Sequence, residues 1–278
     1  MLLEFPTEIT YNAIFVLSSL AERQKGTTTR LLEDLELYAK THDIFLFAAE
    51  PQSAQNFREL MAGIIARMPP GVGALLHLDM HGSIKDGLHI AASNEFIPWA
   101  ELARLCESVN VHMRNNLVLL LPVCYGQEML RHVDVMGHAP FNLFIGSPAE
   151  LDAGFIADHF MPFYRGTVEG GNITTAFDEH LSAKMMMTSS EKIFFVGIGR
   201  YFRYRCLGQG GAIRREELLT EALRVVGNNR HNRRATRYKI KAHVRPRPET
   251  FVKYASKFLC GKSPGYSFDD VLKMARLK

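Results

Sequence analysis

Apolar runs and amphipathic stretches alternate along the first two thirds of the chain. Near-continuous apolar runs rich in β-branched and aromatic residues predict buried strands, and they cover residues 9–20, 43–50, 73–82, 116–126 and 141–147. Apolar residues that recur at helical spacing predict helices between and after these strands, over residues 27–42, 53–68, 96–109, 151–168 and 172–187. This alternation predicts an α/β sandwich around a mostly parallel sheet.

The pattern changes after about Met187. From there the sequence predicts helices joined by Gly- and Arg-rich loops, with helices over 189–207, 215–226 and 248–260. From residue 224 onward, fifteen Lys or Arg face three acidic residues, so that the first 223 residues carry a net charge of −8 within an overall +4. We therefore expect two units: an α/β domain over residues 1–188 and a basic, mainly helical extension over 189–278.

Composition narrows the class of protein. Hydrophobic residues make up 47% of the chain and charged residues 22%, which is typical of a globular protein with a sizeable core. Four cysteines without C-x-x-C spacing suggest a reduced, intracellular and specifically cytoplasmic setting. Those at 106, 206 and 260 lie in helical patterns and are predicted to be buried structural residues. The apolar stretch 11–21 is too short to span a bilayer, and no basic residue precedes it, so we expect neither a signal peptide nor a membrane partner.

Three polar side chains share one face of the predicted strand 73–82. Because strand side chains alternate, His77, Asp79 and His81 point the same way, and burying them is costly unless they are paired or used. His81 precedes Gly82 and a polar, flexible segment, which places it at the open end of the strand. The spacing could instead present metal ligands, but no other histidine adds a recognisable ligand spacing, and we expect no metal or cofactor.

A cysteine occupies the matching position on the next predicted strand. Cys124 follows Pro122, which disfavours extension of the sheet, and precedes Gly126, which lets the chain turn sharply. Because ligands sit outside the carboxyl ends of parallel strands, neighbouring strands would bring this thiol to His81. A thiol with a pKa of roughly 8.5 needs a base at neutral pH, and histidine can be that base. With the N–H groups of Gly82 and Cys124 as an oxyanion hole, the sequence predicts a Cys–His dyad for acyl transfer.

Several segments together resemble a known family. They read LLHLDMHGSIKDG, WAELARL, NLVLLLPVCYG, FIGS and FYRGTVEGGNITTAF, in this order, between residues 75 and 177. They resemble the caspase-like cysteine peptidase fold, above all its CHAT branch, which is related to caspases and separase; the resemblance covers about residues 10–185. It implies a three-layer sandwich with His81 as general base, Cys124 as nucleophile, Gly82 as an oxyanion contributor and His77 in a supporting role, which we extend to Asp79.

The resemblance also implies where a substrate would bind. In this family the substrate adds a strand beside the segment that follows FIGS, which ends at Ser147. In relatives that cleave after basic residues, an acid in this region lines the first specificity pocket, and Glu150 and Asp152 match it. The chain departs from the family here, with Pro148 and Ala149 where CHAT members carry Leu-Trp. The alternative for the two acids is the first turn of a helix, where acids are favoured.

These observations predict an intracellular cysteine endopeptidase that acts on polypeptides and is regulated by a protein partner, in a signalling or defence pathway. The alternative is a catalytically inactive caspase-like adaptor that binds protein or nucleic acid through residues 224–278. Tyr238, interleaved with Arg and Lys, suits nucleic acid. The other interpretation of the basic region is a face that docks onto the acidic first domain or onto a protein partner, with its aromatic residues in the core.

Overall fold

The computed structural model of the chain describes residues 11–276. Within them, eight strands form one sheet. The strands are β1 (Ala13–Ser19), β2 (Phe45–Ala49), β3 (Ala74–Ser83), β4 (Gly87–Ile90), β5 (Glu95–Ile97), β6 (Leu117–Leu121), β7 (Leu143–Gly146) and β8 (Met186–Ser189). The predicted first strand begins at Ile9, so its first two residues lie outside the described residues, as do the first ten residues of the predicted first domain.

The sheet is mostly parallel. Its strand order is β2-β1-β3-β6-β7-β8; the first five strands run parallel, and β8 pairs antiparallel with β7 at one edge. Every residue of β1 and β6 is buried, because both faces of these central strands are covered. The predicted sandwich around a mostly parallel sheet is confirmed, and β3 and β6 are adjacent at its centre.

Helices cover both faces of the sheet. They are α1 (Gly26–Thr41), α2 (Ala54–Arg67), α3 (Trp99–His112), α4 (Ala153–Glu169) and α5 (Ile173–His180). On one face, α2 and α3 bury Phe57 and Leu102 against the sheet. On the other face, α1, α4 and α5 bury Leu35, Phe160 and Phe177. The sheet is therefore the middle of three layers.

A third hydrophobic core lies among the C-terminal helices. These are α6 (Ser190–Tyr201), α7 (Gly208–Val226), α8 (Arg230–Val244), α9 (Pro248–Phe258) and α10 (Phe268–Arg276). Phe194 stacks on Phe258 with ring centroids 5.5 Å apart. Ala139 belongs to this core and its N–H donates to the Phe258 carbonyl at 2.8 Å, so the helical unit packs directly on the sandwich. No helix within residues 11–276 combines the length and apolarity needed to cross a membrane.

Three local predictions were wrong or incomplete. The helix predicted over 172–187 ends at His180, and residues 186–187 begin β8, because pairing with β7 along this edge outweighs the helical preference of methionine. The Arg-rich segment 227–247, predicted as a loop, contains α8, whose first turn is capped by the Asn229 side chain accepting from the Asn232 N–H at 2.8 Å. The hairpin of β4 and β5, which extends the end of β3, was not predicted.

A buried amide fixes the start of β6. The Asn110 side chain, fully buried at the end of α3, donates to the Ala139 carbonyl at 2.7 Å and to Asn115 Oδ1 at 2.9 Å. Its Oδ1 accepts from the Leu117 N–H at 3.1 Å. One side chain thus joins a helix end, a loop and the first residue of the strand that leads to Cys124.

We expect Asn110→Ala to lower the free energy of unfolding by about 3 kcal/mol, because it leaves several buried polar groups unpaired. Urea unfolding followed by circular dichroism measures the change. The control is Ser108→Ala on the same helix, whose hydroxyl bonds only to Arg104 O within α3 and whose loss should be below about 0.5 kcal/mol. Equal stabilities of the two variants would contradict this role for Asn110.

Candidate active site

The ends of β3 and β6 bring His81 and Cys124 to one cavity. The register pairs His77 with Leu120 at the end of the ladder, and His81 and Cys124 each lie four residues further along their chain segments. Both residues line a cavity of about 500 Å³ at the carboxyl ends of the parallel strands. The predicted dyad residues therefore lie on neighbouring strand ends and face the same open space.

Gly82 is the point of closest approach between the two chain segments. A Cβ atom at this position would lie 2.1 Å from the Cys124 carbonyl oxygen and 3.3 Å from Val123 Cγ2. The obstacle is backbone, which cannot rotate away, so a side chain here would push the two strand ends apart. Gly82 thus permits the contact that places the imidazole and the thiol at one cavity.

The turn after Cys124 differs in detail from the prediction. Tyr125, rather than Gly126, adopts the left-handed conformation, with φ of 60°. Gly126 is needed for packing instead, since a Cβ there would lie 3.1 Å from Leu121 Cβ. The Tyr125 N–H donates to Ala149 O at 3.0 Å and the Gln127 N–H to Ser147 O at 3.1 Å, so the turn is tied to the loop between β7 and α4.

Backbone donors surround the Cys124 sulfur. The Leu151 N–H donates to Cys124 Sγ with a nitrogen–sulfur distance of 3.4 Å. Ala153 and Ile156, from the first turn of α4, line the same cavity, so the positive end of this helix lies beside the sulfur. Among the hydrogen bonds of residues 11–276, none uses the Cys124 N–H, which leaves this donor available to a ligand.

Gln24 holds the His81 ring. Its Oε1 lies 2.9 Å from His81 Nε2, and it belongs to a short 3-10 helix, Glu22–Gln24, in the connection between β1 and α1. Because an amide oxygen can only accept, this contact fixes the tautomer with the proton on Nε2. The unprotonated Nδ1 is then the atom that can take a proton.

A buried carboxyl lies two residues before His81 on the same strand face. Asp79 is 3% exposed and accepts a short hydrogen bond from the Thr28 hydroxyl on α1. Burial raises the pKa of Asp79, while the Thr28 hydrogen bond and the nearby His81 act in the opposite direction. Asp79 also lines the cavity. The supporting position predicted for it is therefore compatible with where it lies.

His77 is deeper on the same face and outside the cavity. It is fully buried, its Nδ1 lies 2.6 Å from Tyr164 Oη on α4, and its Nε2 has no hydrogen-bond partner. Burial lowers the pKa of His77 to about 3. The ring is therefore a neutral core residue near physiological pH.

Each side chain of the face His77–Asp79–His81 is engaged by a different residue. Tyr164, Thr28 and Gln24 each engage one of the three side chains, and no group of three His, Cys, Asp or Glu side chains within residues 11–276 has the geometry to hold a metal ion.

The three residues predicted for a substrate pocket lie outside the lining of this cavity. Ser147 is buried and donates to Ala149 O at 2.9 Å. Glu150 accepts from Tyr125 Oη at 3.3 Å. Asp152 caps α4 by accepting from the Phe155 N–H and forms an ion pair with Lys184, which is the helix-terminus alternative given for it above.

Sequence reasoning missed the polar wall of the cavity. That wall comes from the connection between β1 and α1, which carries Arg23 and Gln24, and from the start of α1, which carries Arg30. Both arginines are exposed, and neither forms an ion pair within residues 11–276. This wall could have been predicted, because ligands bind at the carboxyl ends of parallel strands and β1 is the other neighbour of β3.

The remaining cysteines differ chemically from Cys124. Burial raises the pKa of Cys106 and of Cys206, and raises that of Cys260 to about 11. Cys106 and Cys206 are buried, as predicted, whereas Cys260 is only partly buried. Since the thiolate is the reactive form, these three thiols are poor nucleophiles at neutral pH.

Comparisons with known proteins give no family for this chain. No protein-family model matches it, and no curated protein matches its sequence. The chemistry of the site is therefore argued from its own geometry.

The buried His77 gives a pH signature. Its pKa is lowered from 6.5 to about 3 in the folded state, so the unfolded chain takes up a proton below pH 6.5 that the folded chain excludes. The contribution of His77 to the free energy of unfolding is fully present above pH 6.5. Below that pH the free energy of unfolding falls by about 1.4 kcal/mol per pH unit. We expect the double variant His77→Phe/Tyr164→Phe to lose about 2 kcal/mol less than the wild type between pH 6.5 and pH 5.

Urea unfolding at the two pH values measures this difference. Tyr164→Phe alone is the control, since it retains the buried imidazole and should keep the wild-type pH dependence. If the double variant and the control lose the same stability on acidification, His77 does not titrate as its burial requires.

Proposed function

We propose that the chain is a cysteine endopeptidase with Cys124 as nucleophile and His81 as general base. The observation that carries the proposal is the shared cavity: an imidazole and a thiol on adjacent strand ends, with a backbone N–H from Leu151 on the sulfur. The strand order, with the two chemical residues on the two central strands, supports the resemblance to caspase-like peptidases given above.

The reaction proceeds through a thioester. His81 Nδ1 takes the proton of the Cys124 thiol, and the sulfur attacks the peptide carbonyl carbon. The oxyanion that forms accepts a hydrogen bond from the N–H group of Cys124, whereas Gly82, the other predicted donor, pairs with Leu88 in the hairpin and lies outside the cavity lining. The C–N bond breaks and the imidazolium gives its proton to the leaving amine. His81 then deprotonates a water, which cleaves the thioester and returns the thiol.

Gln24 and Asp79 act as positioning residues in this scheme. Gln24 fixes the ring and tautomer of His81 through Nε2. Asp79, two residues along the same strand face, interacts electrostatically with His81, and its negative form stabilises the imidazolium that the reaction generates.

The charge of the cavity favours acidic substrates. Arg23 and Arg30 supply two guanidinium groups without ion-pair partners, whereas Glu150 and Asp152 lie outside the lining and are engaged elsewhere. This preference is the reverse of the one implied by an acid in the first specificity pocket. An acidic side chain near the scissile bond would find both arginines within the same cavity.

Alkylation with iodoacetamide tests the dyad. We expect Cys124 to be labelled at least about tenfold faster than the other three cysteines at pH 7, and His81→Ala to reduce peptide cleavage by about 100-fold or more. Peptide mass mapping of labelled protein identifies the site, and Cys260→Ser, which removes a partly buried thiol outside the cavity, is the control. Labelling of Cys124 that His81→Ala leaves unchanged would favour the inactive adaptor.

Matched peptides test the substrate charge. We expect peptides with Asp or Glu next to the scissile bond to be cleaved faster than those with Lys or Arg. The double variant Arg23→Gln/Arg30→Gln should raise KM for the acidic peptides by about tenfold, since two ion pairs are lost. The exposed Arg104→Gln, on α3, is the control. Preference for basic peptides in the wild type would contradict the assignment of this wall.

A further inference from the structure

α8 is an exposed cationic helix. It spans Arg230–Val244 with six Lys or Arg and no acidic residue, and Val244 is its one buried residue. The absence of acids extends along the sequence, because residues 224–248 hold nine Lys or Arg and no Asp or Glu. No residue of this segment lines the cavity described above, and the segment plays no part in the peptidase proposal.

Three of the six cationic residues lie on one face of the helix together with Tyr238, whereas the exposed Lys239 lies about 180° round from Arg230. At 3.6 residues per turn, Arg230, Arg234 and Lys241 fall within about 40° of arc, and Tyr238 lies about 40° further round. The contact side, with the partly buried Thr236 and Ile240 and the buried Val244, lies about 80–160° of arc from Arg234, and the helix packs against α7. We call the face formed by Arg230, Arg234, Tyr238 and Lys241 the α8 stripe.

The stripe has no acidic partner. Arg237, beside the packed side, pairs with Glu216 of α7 at 3.1 Å, and Arg233 donates to Asn228 Oδ1 at 3.1 Å. Among residues 11–276, no ion pair involves Arg230, Arg234 or Lys241. These three side chains therefore form no ion pair with the acidic first domain, onto which the basic region was predicted to dock.

The chemistry of the stripe selects its partner. Its cations extend over about 16 Å of helix axis, and Tyr238 is 78% exposed among them. Regularly spaced cations suit a phosphate backbone, and unpaired bases can stack on the exposed ring of Tyr238. A helix that lies on a membrane needs an apolar face free to enter the lipid, and Ile240 and Val244 of α8 pack in the third hydrophobic core instead.

We propose that the α8 stripe binds single-stranded nucleic acid, with Arg230, Arg234 and Lys241 on phosphates and Tyr238 stacked on a base. This function is separate from the proposed peptidase, since no stripe residue lines the cavity of His81 and Cys124. Loss of one activity therefore leaves the other measurable.

The experiment uses the full chain and fluorescent 20-nucleotide single strands, one of RNA and one of DNA, in fluorescence anisotropy titrations at several salt concentrations. We expect the triple variant Arg230→Gln/Arg234→Gln/Lys241→Gln to bind at least tenfold more weakly and to reduce the slope of log K against log salt by about 2. Tyr238→Ala should weaken binding by about tenfold, and Tyr238→Phe should retain it.

The matched control is Lys40→Gln/Lys85→Gln/Arg104→Gln, which removes the same charge from exposed positions elsewhere. It should bind as the wild type does, and thermal melts verify that all variants fold. Equal weakening by both triple variants would overturn the proposal, because it would show attraction to net charge alone. So would equal competition by polyglutamate, tighter binding to a duplex, or binding to phosphatidylserine vesicles without binding to either single strand.

Discussion

The parallel pairing of β3 with β6 is the constraint on which the candidate site depends. Apolar burial holds these two strands at the centre of the sheet, and hydrogen bonds extend only to His77 and Leu120. Beyond that point the strands separate, and Gly82 against the Cys124 backbone keeps their ends in contact. The spacing of imidazole and thiol is therefore set by a backbone contact rather than by side-chain packing, and backbone contacts are far less forgiving than flexible side chains.

The parts of the structure that follow from local pattern were predictable, and those that depend on tertiary contacts were not. Apolar runs and alternation gave β3, β6 and the shared face of His77, Asp79 and His81. The Met-rich start of β8 has no strand pattern of its own, because the conformation of an edge strand depends on pairing with its neighbour. The role of Gln24 could not be predicted for a related reason, because the sequence does not indicate which side chain of a polar loop reaches a histidine 57 residues away.

The helical extension shows the same division. Phe194, Phe251 and Phe258 form its core, and their spacing in the sequence predicts helices that bury them. α8 lacks such a core-facing stripe, so its Arg-rich sequence was interpreted as loop. It is helical because Asn229 caps its start and because Thr236, Ile240 and Val244 give it a narrow contact side. A helix held by so little apolar area leaves most of its surface to charge.

Two side chains on the polar face of β3 make the stability of the fold depend on pH in opposite directions. His77, with its pKa lowered by burial, destabilises the fold as the pH drops below 6.5. Asp79, with its pKa raised by burial, favours the fold most at acid pH and loses that advantage as the pH rises through its folded pKa. A strand selected only for stability would carry apolar residues at both positions. Asp79 borders the cavity and reaches His81 electrostatically, so its cost is accounted for by the chemistry proposed there. His77, whose ring contacts Tyr164 and Phe160, supports that chemistry by filling the core beneath it.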